Sequence, residues 1–111
     1  MSDTRIPTHI WLEAKIRELS ATGQGVYVLQ RGEKNDGQVL LKLSDLSGQA
    51  RLLIRQRDLM TNELGWMNAL TDEVMTEQKA DEYISRSRAR DPDLWVIEVE
   101  SAEMKNPFES V

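Results

Sequence analysis

Hydrophobic and polar positions change period several times along the chain, and each change marks an element. Pro7 suits the first turn of a helix, where its missing N–H would be unpaired anyway. His9, Leu12, Ile16 and Leu19 then recur at helical spacing. Ile10, Trp11 and Ala14 add a second apolar patch, so this helix is expected to be covered on more than one side. Glu13 and Arg17 form an i,i+4 pair on the wet face, and Gly23 stands where a glycine C-cap belongs. The period then drops to two. Val26 to Arg31 is rich in β-formers, and Gly32-Glu33-Lys34-Asn35-Asp36-Gly37 reads as a turn. Val39, Leu41 and Leu43 alternate with Gln38, Leu40 and Lys42. After a second turn, Ser44 to Gly48, Ala50, Leu52 and Ile54 alternate with Arg51, Leu53 and Arg55.

Arg57 to Glu63 reads as a loop, and Trp66 to Leu70 as a fourth strand opened by Gly65. From Thr76 the helical period returns, with Ala80, Tyr83, Ile84 and Ser87 on one face and Glu82 and Arg86 paired at i,i+4. Asp91-Pro92-Asp93 ends this helix, because a residue before proline is pushed out of the α region. Leu94 to Glu100 is the last strand, with Trp95, Ile97 and Val99 on one face. The order is α-β-β-β-(β)-α-β. Short loops between successive strands favour antiparallel neighbours, since a parallel return needs a crossover of about a dozen residues or more. The expected fold is therefore α+β: an antiparallel meander of four to five strands with both helices packed on one face. Residues 1–111 form one domain, since domains run to about 100–150 residues, with an ordered core over 6–101. The polar stretch 102–111 is expected to fray, with Phe108 as its one candidate anchor.

Composition narrows function mainly by exclusion. The 111 residues include no cysteine and a single histidine, which removes disulfides, thiolate metal sites, a cysteine nucleophile and any His-His metal pair. The formal net charge of −5 argues against a nucleic-acid coat protein. The start of the chain has no apolar signal-peptide core, and no run approaches the roughly 20 apolar residues of a membrane span. A cytoplasmic protein without membrane contact is expected.

Two arginine sets are the candidate anion or partner surface: Arg51, Arg55 and Arg57 on the third strand, and Arg86, Arg88 and Arg90 at the end of the second helix. If they converge they make a guanidinium cluster for phosphates. If not, the strand set belongs to a solvated sheet face paired with Glu98 and Glu100, and the helix set complements the helix dipole. His9 lies on an apolar stripe and reads as a hydrogen-bonded structural histidine; catalysis by His9, Asp91 or Asp93 is the remote alternative. Glu98, Glu100 and Glu103 have oxygen-ligand chemistry, but their spacing matches no calcium loop. Gly25-Val26-Tyr27-Val28-Leu29 looks like half of a GIY-YIG nuclease motif without its second half, and Gly23-Gln24-Gly25 follows a helix rather than a strand, so neither carries a function. Trp11, Trp66 and Trp95 are expected in the core, with Trp66 the candidate interface aromatic.

Ile6 to Trp11, Val39 to Leu43, Gly65-Trp66-Met67 and Asp81 to Ile84, running into Arg90-Asp91-Pro92-Asp93-Leu94-Trp95-Val96-Ile97-Glu98-Val99-Glu100, together resemble the mainly alphaproteobacterial domain of unknown function 1491. The resemblance spans nearly the whole chain. It implies a small bacterial single-domain protein and no activity, cofactor or catalytic residue. By subtraction, the expected function is a non-enzymatic protein-interaction or binding module without cofactor, recruiting an unidentified protein partner at an exposed strand edge. Nucleotide or RNA binding through the arginines is the alternative.

Overall fold

The computed structural model describes residues 6–109. Among them are two helices, α1 (Thr8–Ala21) and α2 (Glu77–Arg90), and strands β1 (Val26–Gln30), β2 (Val39–Ser44), β3 (Gln49–Arg57), β4 (Leu64–Asn68), β5 (Met75–Thr76) and β6 (Trp95–Glu100). The helix boundaries follow local chemistry. The first N–H groups of α1, those of Thr8 and His9, donate to the carbonyls of Asn35 and Lys34, so the 31–38 loop caps the helix where no side chain does. At its other end Gly23 has φ +87°, its N–H reaches Ser20 O, and Gln24 N–H reaches Leu19 O. That is a Schellman closure, which needs the left-handed residue that glycine supplies. Thr76 Oγ1 accepts from Lys79 N at 3.2 Å to cap α2, and extended Asp91 before Pro92 ends it.

The sheet order is β1-β6-β2-β3-β4, with β5 paired to the start of β3. Most pairings are antiparallel, but β2 and β6 run parallel from Val39↔Trp95 to Ser44↔Glu100. The sheet is thus mixed, which corrects the expected meander: β6 inserts between β1 and β2. The 31–38 loop does not turn back as a hairpin. Instead Glu33 N–H bonds Asp93 O and Trp95 N–H bonds Gln38 O, which carries the chain past the start of β6.

The helices also take opposite faces, where one shared face was expected. On one face, Leu12 and Leu19 of α1 pack with Val39, Leu41, Leu43, Leu53, Trp95, Ile97, Val99 and Phe108. On the other, Ala80 and Ile84 of α2 pack with Leu40, Ala50, Leu52, Met75, Leu94 and Val96. Successive strand residues point to opposite faces, so every position of β2 is buried. Of the stretch 102–111 that was expected to fray, residues 110–111 lie outside the described residues, and residues 102–109 fold back onto the α1 face. Phe108 is 0% exposed, seated between Trp11 and Trp66 with ring centroids 6.4 and 6.2 Å away.

Trp95, 1% exposed, is held on several sides. Its indole N–H donates to Glu33 O at 2.8 Å, and the Arg31 guanidinium lies 5.1 Å from the ring centroid. Gly32 and Gly37 leave room for it: a Cβ on either would meet the Trp95 ring and the Asp93 carbonyl. Trp95→Ala is expected to lower stability by about 3–5 kcal/mol through the cavity it leaves, read as the shift in a urea denaturation midpoint. A midpoint equal to that of the wild type would contradict the placement of Trp95 between α1 and the sheet.

Candidate functional site

Lys42 is the least expected side chain in the fold. It lies mid-way along β2, faces α2, and is 3% exposed. Helical spacing places Glu77 and Asp81 one turn apart above it, and the parallel register places Glu98 beside it on β6. Its Nζ is 2.8 Å from Asp81 Oδ1, 3.5 Å from Glu77 Oε2 and 3.6 Å from Glu98 Oε2. Ser44 Oγ, two residues along the same face, donates to the other Glu77 oxygen at 3.0 Å. Burial pushes the Lys42 ammonium toward neutrality, but the Asp81 hydrogen bond and the attraction of Glu98, Asp81 and Glu77 more than reverse this, so its pKa stands above the ordinary value of 10.5. A nucleophilic or base lysine needs the opposite shift. The cluster instead clamps the first turns of α2 onto the central strands.

The arginine sets do not converge. Arg51, Arg55 and Arg57 alternate with Ala50, Leu52 and Ile54, and so lie on the α1 face, whereas Arg86, Arg88 and Arg90 belong to α2 on the opposite face. Glu98 and Glu100 are on the α2 face too, which corrects their expected pairing with the strand arginines. Arg51 Nη1 donates to Met104 O at 3.2 Å and pairs with Glu73 at 3.4 Å. Arg55 stacks 4.4 Å from the Trp11 ring centroid, and Arg57 donates to Asn62 O at 2.8 Å. Arg88 Nε reaches Gln30 Oε1 at 3.4 Å, while Arg86 and Arg90 are exposed.

The remaining candidates are scattered. His9 is half-buried, with Nδ1 3.1 Å from Lys34 O. Asp91 Oδ1 accepts from Asp93 N at 3.0 Å. Glu100 lies beside Tyr27, whose hydroxyl it holds above the usual tyrosine pKa, and Glu103 pairs with Lys105 at 3.5 Å. Among the described residues no group of three or more His, Cys, Asp or Glu is arranged to hold a metal. Trp66 is half-buried, and its N–H donates to Phe108 O at 3.1 Å.

The tip of the β3–β4 hairpin was read from the sequence only as a loop. Leu59 is 100% and Met60 93% exposed there. The backbone beneath them is tied down. Asp58 Oδ1 accepts from Met60 N at 2.7 Å and Thr61 N at 3.2 Å, and Asp58 N donates to Glu63 O at 2.8 Å. Asn62, at φ +61°, donates its N–H to Asp58 O. Arg57 closes the loop through Asn62 O. The one signal for this in the sequence is two adjacent large apolar residues inside a polar turn.

The profile of a family described as "Protein of unknown function (DUF1491)" matches residues 6–109. Among solved structures, the chain is similar to the crystal structure of a DUF1491 family protein from Caulobacter crescentus, at 33% identity and TM-score 0.75, over 87% of this chain and 89% of that one. An NMR structure of a DUF1491 family protein from the same organism matches at 30% identity and TM-score 0.74, over 92% and 91%. A protein from A. tumefaciens shares the fold, with TM-score 0.68 at 21% identity over 88% and 87%. No curated protein matches.

Because folding raises the Lys42 pKa, the stabilising contribution of Lys42 is complete below its unfolded value of about 10.5 and is lost as pH rises through the higher folded value. Tyr27 titrates in the same direction, so the informative quantity is a difference between variants. Lys42→Met is expected to flatten the fall in stability above pH ~10.5 relative to wild type, measured by urea titration at stepped pH. Parallel curves for the two proteins would contradict the clamp.

Proposed function

The chain belongs to the DUF1491 family, and we propose that it works as a non-enzymatic protein-interaction module that presents the hairpin tip to an apolar pocket on a partner protein. The observation that carries this reading is the conjunction at Leu59 and Met60 of nearly complete exposure with a hydrogen-bonded turn. Covering a large apolar side chain that lies fully in water gains about 1.5–3 kcal/mol. A loop fixed beforehand loses little conformational entropy on docking. Methionine, unbranched and polarizable, suits such a contact. Leu64, at the foot of β4, extends the apolar surface.

Other attachments have less support. Asp58 and Glu63 flank the tip, and their charges oppose an anionic lipid surface. No helix among the described residues is long and apolar enough to cross a membrane, and a cytoplasmic setting is part of the same proposal. The outer edge of β1, with Tyr27 and Val28 exposed, is open to strand addition. The irregularity between Val28 and Gln30 interrupts that edge, which weakens it as a template. Nucleotide or RNA binding loses its geometric basis once the arginine sets lie on opposite faces. A catalytic reading has less support: the Asp91 carboxylate accepts from the Asp93 N–H and the His9 ring meets the Lys34 carbonyl, and the two are not brought together by these contacts.

A photo-crosslinking residue at position 60, compared with one at exposed Glu82, tests the tip in native cells. Discrete adducts are expected from position 60 and not from 82. The pair Leu59→Asp and Met60→Asp is expected to abolish capture of the same partner while changing stability by no more than about 0.5 kcal/mol, as exposed substitutions do. Identical adduct patterns from both positions, or capture that survives the double substitution, would contradict the proposal.

A further inference from the structure

The segment after β6 is bound to the sheet as a ligand is bound. It forms no ladder with any strand. Ser101 N–H bonds Ser44 O, and Met104 N–H bonds Ser101 O at 2.9 Å, turning the chain back across the α1 face. From there the contacts are made by side chains of the body. Arg51 holds Met104 O, Trp66 Nε1 holds Phe108 O, and the Phe108 ring fills the space between Trp11 and Trp66. An internal turn, Phe108 N to Asn106 Oδ1 at 2.8 Å, presents that ring. The interaction is specific and buried, yet the closure that delivers it is imperfect. Met104 is in the left-handed region, at φ +53°, without being glycine. Arg51 Nε and Asn106 Nδ2 are both buried without a hydrogen-bond partner, one on each side of the contact. The backbone strain belongs to the turn at 101–104, whereas the two unmet donors lie where the arm is seated, which exchange leaves as it is.

We infer that residues 102–109 form an exchangeable arm, which two copies of the chain can trade so that Phe108 of each fills the groove between Trp11 and Trp66 of the other. The groove accepts this segment by construction, and a second copy carries the identical segment. Exchange therefore keeps every groove contact while opening the turn at 101–104 relieves the strained Met104 backbone. Exchange of an identical element is a low-cost route to a dimer where the hinge is short and strained. The arm lies on the α1 face against Arg51 near the start of β3 and Trp66 in the middle of β4, and none of these contacts involves Leu59 or Met60, so the inference does not depend on the tip's having a partner.

The test uses the whole chain and a hinge variant. Removing Ala102 and Glu103 leaves the arm too short to turn back onto its own groove but able to reach another, so this variant is expected to be a dimer by light scattering at all accessible concentrations. Wild type carrying two different tags is expected to form mixed dimers on prolonged incubation at high concentration. Met104→Gly, which removes the left-handed penalty from the closed form, is expected to lower their yield several-fold. A hinge-deleted chain that is folded and monomeric would overturn the inference. Should that variant not fold, the absence of mixed dimers in the wild type would do so.

Discussion

Burial of β2 on both faces is the constraint from which the rest of the structure follows. A strand with Leu40 against one helix and Leu41 against the other cannot lie at an edge, and β6, apolar on both faces through Trp95, Val96 and Ile97, is its matching neighbour. Pairing these two strands places β1 outside β6 and β3 outside β2. It also forces α1 and α2 onto opposite sides. The parallel register then brings Glu98 beside Lys42, and α2 brings Glu77 and Asp81 above it. A lysine in this position is expensive to desolvate and is tolerated only because carboxylates from two elements meet it. Such a clamp contributes more to fixing where α2 sits than to net stability.

Much of this was legible in the sequence. Helical spacing located both helices and their buried residues Leu12, Leu19, Ala80, Ile84 and Ser87, and the alternation in Leu94 to Glu100 assigned Trp95, Ile97 and Val99 to one covered face. The topology was not, because turn chemistry speaks only to neighbours in sequence. The glycine-bounded stretch 32–37 has the composition of a hairpin turn, and its real partners, Asp93 O and the first turn of α1, are distant in sequence. The near-continuous apolar runs Val39 to Leu43 and Leu94 to Ile97 did carry the missing information, since strands buried on both faces read that way. With both helices on one face, Lys42 would sit on the uncovered side of β2; α2 on the opposite face is what buries it. Phe108 was a correct anchor, but one aromatic in a polar tail does not reveal the groove that receives it.

The candidate surfaces divide along the same lines. Side chains that the sequence offered as an anion site are spread over two faces and mostly engaged: Arg51 on the arm, Arg55 on Trp11, Arg57 on the hairpin loop. The feature we propose for recognition is apolar and local. It sits at the end of the β3–β4 hairpin, with β4 the edge strand two places from β2, and its turn is fixed by its own hydrogen bonds rather than by the core.

Native-state amide hydrogen exchange tests the central role of the β2–β6 pair most directly, because it separates local opening from global unfolding residue by residue. The amides within the β2–β6 pair, such as those of Leu41, Lys42 and Ile97, are expected to exchange only at the free energy of global unfolding obtained from denaturant. Those of the β3–β4 tip and the 102–109 arm are expected to exchange through smaller, independent openings. Exchange of the β2 amides through a local opening, while β1 remained protected to the global limit, would contradict the account.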